Sequence, residues 1–469
     1  MKTILILFFL IIFAYTVNAQ YITEVIDYTP APGQFINTDA YGSSDAAQTI
    51  IGSRNGLVSL GAFGGYIIFK FENPVENNPD NPFGIDFTVF GNTSSENAEP
   101  ATVFVMKDEN NNGIPDDTWY ELAGSDYYFS NTAHTYEITY TNPQQSTASD
   151  VPWSDNPGEN GFVYANDYHT QPYYPMSDYF PAINQDNYTL HGTKIKAAVD
   201  LSDATNIRSY QRVFGYADNH IRGNANSFLP DNPYTKEIEN AGGDAFDISW
   251  AVDIDGNYVN SDEIDFIKVQ CAVNANMAWL GEVSTEISGA LDIAPNTSVN
   301  GQEDLIVIKD LPRTIYINQE YPIEVFAFNK GRLLSNQNIA VSVDLPGAFI
   351  DENNILTCSE TGTLTITASF SENPEISSSM TVTVTEAVNL ENTNNNNILI
   401  YPNPTHLKFQ ISGTNNANIR ISDISGKEVM TLHNYSNNTV IDISSLKPGI
   451  YFLEIIESKT RIIKKLIIN

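Results

Sequence analysis

The chain has 469 residues, which at roughly 150 residues per domain is enough for about three domains. It carries 57 acidic and 23 basic side chains, a formal net charge of −34, and such a surface repels phosphate backbones. Nucleic acid is therefore not an expected partner. The two cysteines, Cys271 and Cys358, lie far apart and provide no disulfide framework, so we expect both to be buried and reduced.

The N-terminal segment 1–19 is typical of a secretory signal peptide. Lys2 precedes an apolar run from Ile4 to about Val17, and small residues end the segment at Ala19. The run is too short for a bilayer-spanning helix, and no cysteine follows it to carry a lipid anchor. We therefore expect an exported chain whose mature part has no transmembrane segment.

Residues 20–298 show strand signals and almost no helical periodicity. Short β-branched and apolar runs such as "GGYIIFKF", "IDFTVFG" and "ATVFVMK" are separated by clusters of Gly, Pro, Asn and Asp. The predicted fold class is all-β, with this segment as a β-sandwich passenger domain that carries long loops. Long loops with aromatic content are common sites of binding.

The stretch "DENNNGIPDD" follows one of these predicted strands and has the spacing of an oxygen-rich cation loop. The expected calcium ligands are the side chains of Asp108, Asn110, Asn112 and Asp116 and the backbone carbonyl of Ile114. Trp119 stands where a helix-loop-helix calcium site has its bidentate glutamate, and a strand precedes Asp108, so that helical motif is excluded. A calcium loop between strands and a metal-free Asn-Gly hairpin turn both stay open.

A second acidic loop, "DIDGN", starts at Asp253, and its Asp-Gly pair is typical of an ordinary hairpin turn. The segment from Tyr127 to Tyr188 is rich in tyrosine. Aromatic side chains with a polar edge stack on sugar rings or planar macrocycles, so they are candidate ligand contacts. The candidates are Trp153, Tyr164, Tyr168, Tyr173, Tyr174 and Tyr179.

The larger pattern of "GGYIIFKFENPV", "GIDFTVFGN", "KDENNNGIPDDTWYELAGS" and "GGDAFDISWAVD" resembles an uncharacterised family of Bacteroidetes cell-surface proteins. The resemblance implies a jelly-roll-like, galactose-binding-like sandwich in which calcium is structural. It also implies an association with outer-membrane uptake systems, including those for corrinoids. It brings no catalytic motif.

Residues 304–388 change to clean alternation of apolar and polar residues, as in "GTLTITASF" and "MTVTVTE". About seven short strands in this length are typical of an immunoglobulin-like sandwich. The segment resembles the bacterial immunoglobulin-like repeats of surface proteins, which implies a spacer. The polar run 389–397 that follows is predicted to be a linker.

Residues 398–469 contain "ILIYPNPTHLKFQISG", "IRISDISGKEVMTL", "IDISSLKPGIYFLEI" and "RIIKKLIIN" in that order. This series resembles the C-terminal sorting domain (type A) of the type IX secretion system of Bacteroidetes and predicts a small β-sandwich. The resemblance implies export by that machinery, processing by its sortase, and a location outside the cell or on the outer-membrane surface.

For the function of the passenger, three classes stay open. The leading prediction is non-enzymatic binding of a glycan or a small nutrient such as a corrinoid. The first alternative is a polysaccharide-degrading enzyme, which needs two carboxylates about 5 to 10 Å apart. The second is an adhesive or structural surface protein. The sequence has no G-x-S-x-G motif and no histidine spacing typical of zinc, so no catalytic residue is assigned.

Overall fold

A computed structural model describes most of the chain from Gln20 onward. The described ranges are 20–81, 84–94, 96–203, 205–221, 242–295, 297, 303–335, 338–386, 398–405, 407–414, 416–423, 426–447, 449–457 and 460–468. The predicted signal peptide and the predicted linker lie outside them. The chain divides into two compact units, Met1–Thr385 and Glu386–Asn469.

Both units are built almost entirely from strands, which confirms the prediction of an all-β, multi-domain sandwich protein. In the described part of the chain, the helical elements are one short α-helix (α1, Ser44–Gln48) and the 3-10 turns Ile248–Trp250 and Ala278–Leu280. The helix begins where the Ser43 side chain accepts a hydrogen bond from the backbone N–H of Ala46. Such capping satisfies one of the N–H groups that a helix start leaves without a partner.

The strands of the predicted passenger are Glu24–Thr29 (β1), Val58–Ser59 (β2), Tyr66–Lys70 (β3), Val75–Glu76 (β4), Phe87–Phe90 (β5), Ala101–Met106 (β6), Tyr120–Leu122 (β7), Ala133–Thr141 (β8), Val151–Asp155 (β9), Asn160–Val163 (β10), Asn187–Lys194 (β11), Val199–Asp200 (β12), Arg208–Ser209 (β13), Asp244–Phe246 (β14), Ala251–Val252 (β15), Glu263–Ile264 (β16), Phe266–Cys271 (β17), Glu286–Ile287 (β18) and Gly289–Asp292 (β19).

The central sheet of the passenger has the antiparallel order β1-β3-β17-β6-β7-β15. Its inner face packs against the three-stranded sheet β14-β5-β19 around one large apolar core. Side chains of a strand alternate between the two faces, so Ile267 and Val269 enter this core while Lys268 and Gln270 lie on the outer face. A separate sheet, β10-β9-β8-β11, has its own core, which includes Phe63 and Tyr136.

The described residues of the segment predicted as immunoglobulin-like form ten strands in three sheets, ordered β20-β23-β24, β21-β29-β28-β25 and β22-β27-β26. Its strands are Asp304–Ile308 (β20), Thr314–Tyr316 (β21), Glu320–Pro322 (β22), Val325–Asn329 (β23), Arg332–Leu333 (β24), Ile339–Val343 (β25), Ala348–Ile350 (β26), Ile355–Cys358 (β27), Gly362–Phe370 (β28) and Ser377–Thr385 (β29). Its alternating residues close a core of its own.

This second sandwich also shares core with the passenger. Phe328, at the end of β23, is completely buried, and its ring meets the ring of Phe214 edge-on at 5.2 Å between centroids. The Trp250 indole N–H donates to the carbonyl of Lys330 at 2.7 Å. Gly331 has φ +75°, and a Cβ there would lie 2.2 Å from the indole nitrogen, so only glycine fits this close approach. The two sandwiches therefore belong to one compact unit rather than to separate bodies.

The C-terminal unit forms two sheets, ordered β30-β31-β34 and β33-β32-β35-β36, around a core of isoleucine, leucine, phenylalanine and tyrosine side chains. Its strands are Leu399–Tyr401 (β30), Lys408–Ser412 (β31), Ala417–Ser422 (β32), Glu428–Tyr435 (β33), Val440–Asp442 (β34), Gly449–Glu457 (β35) and Thr460–Ile468 (β36).

The two cysteines are both buried and neither forms a disulfide, as predicted. Cys271 lies in the strand β17 of the passenger and Cys358 in β27 of the second sandwich. Burial raises the pKa of the Cys271 thiol, which keeps it protonated and inert. The stability of both sandwiches therefore rests on their cores.

Candidate functional site

The predicted cation loop joins β6 to β7 and is organised around the Asp108 carboxylate. One Asp108 oxygen accepts the backbone N–H of Asn112 at 3.0 Å, and the other accepts that of Gly113 at 2.7 Å. The Asp108 N–H in turn donates to a carboxylate oxygen of Asp265 at 2.7 Å. The start of the loop is thereby tied to the segment that enters β17.

The other predicted ligands converge on Asp116. The Asn112 side-chain amide lies 3.2 Å from both carboxylate oxygens of Asp116, and the Asn110 amide lies 3.4 Å from one of them. Ile114 N–H donates to the Asn112 side-chain oxygen at 2.7 Å. The fold therefore gathers the side chains at positions one, three, five and nine of the loop, as a cation loop and a tight polar turn both require.

The second acidic loop has a simpler geometry. The Asp253 carboxylate accepts the N–H groups of Asp255 at 3.0 Å and Asn257 at 2.9 Å. These bonds close an aspartate-centred turn between β15 and the residues that follow. No carboxylate from outside the loop takes part in them.

The aromatic candidates divide by burial. Tyr173 and Tyr174 are each 1% exposed and belong to the core beneath the sheet β10-β9-β8-β11, so neither ring offers a face to a ligand in this structure. Trp153 is half-buried, and its ring covers Gly161 on the neighbouring strand. A pattern rich in tyrosine does not distinguish rings that anchor a loop from rings that are free to stack.

The remaining candidates are accessible to different degrees. Tyr168 is 74% exposed and Tyr164 49% exposed, and the Tyr164 ring lies 5.9 Å from that of Phe162. Tyr179 is half-buried and its hydroxyl donates to the Asp39 carboxylate at 3.1 Å. These residues stay predicted ligand contacts.

A groove of about 740 Å³ lies on the outer face of the central sheet, next to the acidic loop. Its floor is formed by β1, β3 and β17, and one wall by Pro115 and Trp119 at the end of the acidic loop. The other wall is formed by residues 182–184 and by the first half of β11. The lining residues are Asp27, Thr29, Tyr66, Ile68, Pro115, Trp119, Ala182, Ile183, Asn184, Tyr188, Thr189, Leu190, His191, Lys268 and Gln270. The volume falls in the range of small-ligand sites.

The strand register sets a row of side chains across the outer face of the sheet. Directly paired positions, from the first strand to the fifth, are Asp27, Ile68, Lys268, Phe104 and Glu121. The first three of them line the groove. Ile68 and Lys268, 200 positions apart in the sequence, thus become direct neighbours through strand pairing.

Lys268 is the cation of this row and is surrounded by aromatic rings. Its ammonium nitrogen lies 4.2 Å from the ring centre of Phe104, 5.2 Å from that of Trp119 and 6.0 Å from that of Tyr66. Burial lowers the pKa of Lys268 to about 8, and the Glu121 carboxylate opposes part of this shift. The side chain is therefore still largely protonated at neutral pH.

Glu121 is the second perturbed group of the row. Burial raises the pKa of its carboxyl to about 7, against the opposing effects of the Thr193 hydroxyl, which donates to it, and of Lys268. Strongly perturbed groups beside a cleft are typical of functional sites. The sequence offers one clue to this pair, a lysine in the mostly apolar stretch "IDFIKVQCAV".

A third arrangement missed in the sequence is a cluster of three carboxyl groups, the partly buried Glu99 and the buried Asp218 and Glu286, whose oxygens lie within 4.8 Å of one another. Burial raises the pKa of all three, to about 7 for Asp218 and about 8 for Glu286. A Cβ on Gly91 would lie 2.0 Å from an Asp218 oxygen, so glycine is required beside the cluster. Carboxyl groups this close together can share protons or hold a cation between them.

The fold thus defines a protein of several β-sandwiches that ends in a small compact unit of its own. Residues 399–469 of that unit match the family described as the secretion system C-terminal sorting domain. The unit is therefore a sorting domain of the type IX secretion system, as predicted. The chain is a cargo of that system and is exported to the cell surface or secreted. Among the described residues, no helix is long and apolar enough to cross a bilayer.

Other similarities are weak. No curated protein matches the chain. A structure of PorZ, a surface component of the type IX secretion system of Porphyromonas gingivalis, is similar over 38% of this chain and 24% of its own, with 14% identity and a TM-score of 0.14. A Salmonella alpha-2-macroglobulin mutant aligns with 87% of this chain and 34% of its own, at 10% identity and a TM-score of 0.24.

The surface layer protein SbsC aligns with 87% of this chain and 53% of its own, at 9% identity and a TM-score of 0.17. The chain therefore spans between about a quarter and about half of the length of these three structures. At such scores neither their folds nor their functions transfer to the passenger.

Proposed function

We propose that the part of the chain before the sorting domain is a non-enzymatic ligand-binding module, which the type IX secretion system delivers to the cell surface or the medium. The proposed ligand is a glycan or a small nutrient such as a corrinoid. The observation that carries this proposal is the 740 Å³ groove on the central sheet. Its size suits a few sugar rings or one compact nutrient molecule.

The lining of the groove has the mixed chemistry that such ligands need. Trp119, Tyr66 and Tyr188 contribute aromatic surface, and aromatic faces stack on the apolar faces of sugars or on a flat macrocycle. Asn184 and Lys268 contribute donors for hydroxyl, amide or charged groups. Tyr164 and Tyr168, which are exposed outside the groove lining, remain candidates for contacts with longer ligands.

The arrangement of carboxylates favours binding over glycoside hydrolysis. Asp27 and Glu121 stand at the two ends of the row, four strand spacings apart, which at ~4.8 Å per spacing places their backbones ~19 Å from each other. A hydrolytic pair lies about 5 to 10 Å apart across the scissile bond. This row therefore offers one carboxylate to a ligand in the groove, not two.

The acidic loop has a supporting role in this proposal. Calcium bound by Asp108, Asn110, Asn112, Asp116 and the Ile114 carbonyl would fix the loop. Pro115 within the loop and Trp119 just after it form one wall of the groove. Trp119 also packs over Ile68, Met106 and Phe266 on the outer sheet face. Calcium would then raise the affinity for the ligand because it holds the Trp119 ring in place at the wall of the groove.

The test is a binding screen of the mature full-length chain against neutral and acidic oligosaccharides and cobalamin. We expect at least one ligand to bind, and the variant Trp119→Ala to weaken that binding by 10-fold or more because it removes a wall of the groove. Trp279→Ala is the matched control, since Trp279 is 49% exposed but does not line the groove. Failure of every ligand to bind, or equal losses in both variants, would refute the proposal.

A further inference from the structure

Lys268 differs from other lysines of this acidic chain in what surrounds its charge. In the described part of the chain, five lysines pair with a carboxylate, namely Lys70, Lys107, Lys309, Lys330 and Lys408. Within the described residues, the Lys268 ammonium has aromatic rings around it and neither a hydrogen-bond acceptor nor an ion-pair partner in direct contact. Glu121 influences it electrostatically but stands two strands away, beyond Phe104.

An ammonium group has three N–H donors, and cation–π contacts satisfy charge but not those donors. Lys268 lies on the outer face of the sheet and is one of the residues that line the groove, so its ammonium group is accessible from the groove. A ligand in the groove is therefore placed to supply the missing acceptors. An anionic acceptor would bind the ammonium group more strongly than a neutral one, because charge-assisted hydrogen bonds are roughly twice as strong as neutral hydrogen bonds.

We infer that the groove selects saccharides that carry a single negative charge on a ring, a uronate carboxylate or a sulfate ester, with the anion at the Lys268 ammonium and the ring against Trp119 and Tyr66. This inference rests on the proposed function and narrows its ligand class. Asp27 lines the same groove and is hydrogen-bonded at 2.8 Å by the Tyr66 hydroxyl. Its carboxylate disfavours a doubly charged phosphate ester, which restricts the class to single charges.

The net charge of −34 does not oppose this selection at contact range. At physiological ionic strength the Debye length is about 8 Å, so the fields of carboxylates elsewhere on the surface are largely screened within the groove. Direct contact with Lys268 is screened much less, because the side chain is partly removed from water. The positive charge of Lys268 therefore determines that the groove prefers a negatively charged ligand.

The experiment compares matched oligosaccharides by calorimetry on the mature chain: galacturonate oligomers, sulfated galactan oligomers and neutral galactan oligomers of equal length. We expect one or both acidic series to bind at least 10-fold more tightly than the neutral series. Preference for the uronate arm alone or the sulfate arm alone identifies which anion the groove takes. Lys268→Met should remove this preference by lowering the affinity for the acidic series at least 10-fold more than the affinity for the neutral series, and Lys268→Arg should retain most of the preference.

Lys194→Met is the matched control, since Lys194 also covers a tyrosine ring, at 3.5 Å from that of Tyr136, but does not line the groove. It should leave the preference intact. Equal binding of acidic and neutral oligomers by the native chain, or a preference that survives in Lys268→Met, would overturn the inference and leave the proposed function standing. Absence of binding by any saccharide or by cobalamin would overturn both. Melting curves of each variant show whether a loss reflects folding instead of contact.

Discussion

Replacing Phe328 by alanine tests whether the second sandwich is part of the same cooperative unit as the passenger. Phe328 is completely buried, and its ring packs edge-on against Phe214 of the passenger at 5.2 Å. Truncating a buried phenylalanine to alanine costs about 3–5 kcal/mol, from lost transfer free energy and the cavity left behind. The expected loss in the free energy of unfolding is therefore about 4 kcal/mol.

The corresponding shift in melting temperature follows from the size of the unit. With an unfolding entropy of ~2.1 cal/mol/K per residue, the ~366 residues from Gln20 to Thr385 give ~0.8 kcal/mol/K. A loss of about 4 kcal/mol then lowers the melting temperature by about 5 °C. Differential scanning calorimetry of the chain from Gln20 to Asn469 measures this shift, and we expect the sorting domain, which is a separate compact unit, to melt in a transition of its own.

Phe349→Ala is the control, because Phe349 lies in the same sandwich but is 64% exposed. It should change the free energy of unfolding by no more than about 0.5 kcal/mol. The reasoning is refuted if Phe328→Ala shifts melting no more than Phe349→Ala does. It is also refuted if the passenger and the second sandwich melt in two separate transitions in the native chain.

Two further predictions concern the carboxylates. Burial raises the folded-state pKa of Asp218 to about 7 and that of Glu286 to about 8. Between about pH 5 and pH 8 the native state therefore holds protons that the unfolded state has lost. As a result, the free energy of unfolding falls as the pH rises through this range. Glu286→Gln should reduce this slope by up to about 1.4 kcal/mol per pH unit in denaturant titrations with chelator present, and an unchanged slope would contradict the buried-acid assignment. For the acidic loop, calcium at 100-fold over its Kd stabilises by about 2.7 kcal/mol, so chelation should lower melting by about 3 °C. Asp108→Ala should abolish that response and Asp253→Ala should preserve it, whereas a melting curve unaffected by chelation would leave only a polar turn.

Local patterns were sufficient for much of the architecture. The alternation in "GTLTITASF" predicts a strand because side chains of a strand point to opposite faces, and β28 occupies Gly362–Phe370. The four motifs of the last 72 residues predicted a sorting domain, which the family match over 399–469 confirms. The strand that precedes the acidic loop also followed from the sequence, since the predicted run "ATVFVMK" contains β6, Ala101–Met106.

Burial of individual aromatic residues was not predictable in the same way. Tyr173 and Tyr168 lie in one loop of similar composition, yet the first is 1% exposed and the second 74%. The difference depends on which face of the loop meets the sheet β10-β9-β8-β11, and no local spacing in the sequence records that. The joint core of Phe214, Trp250 and Phe328 was missed for the same reason, because each residue alone is compatible with a separate domain.

The sequence by itself therefore determined the all-β class, the exported fate and the position of the acidic loop, because each depends on contiguous residues. Only the tertiary structure decided the groove. Asp27, Trp119, Asn184 and Lys268 are scattered over more than half of the chain, and the strand order β1-β3-β17-β6-β7 together with the packing of β11 brings them to one surface. Strand pairing is a long-range property of the chain, so the chemistry that it assembles becomes visible only once the sheet is formed.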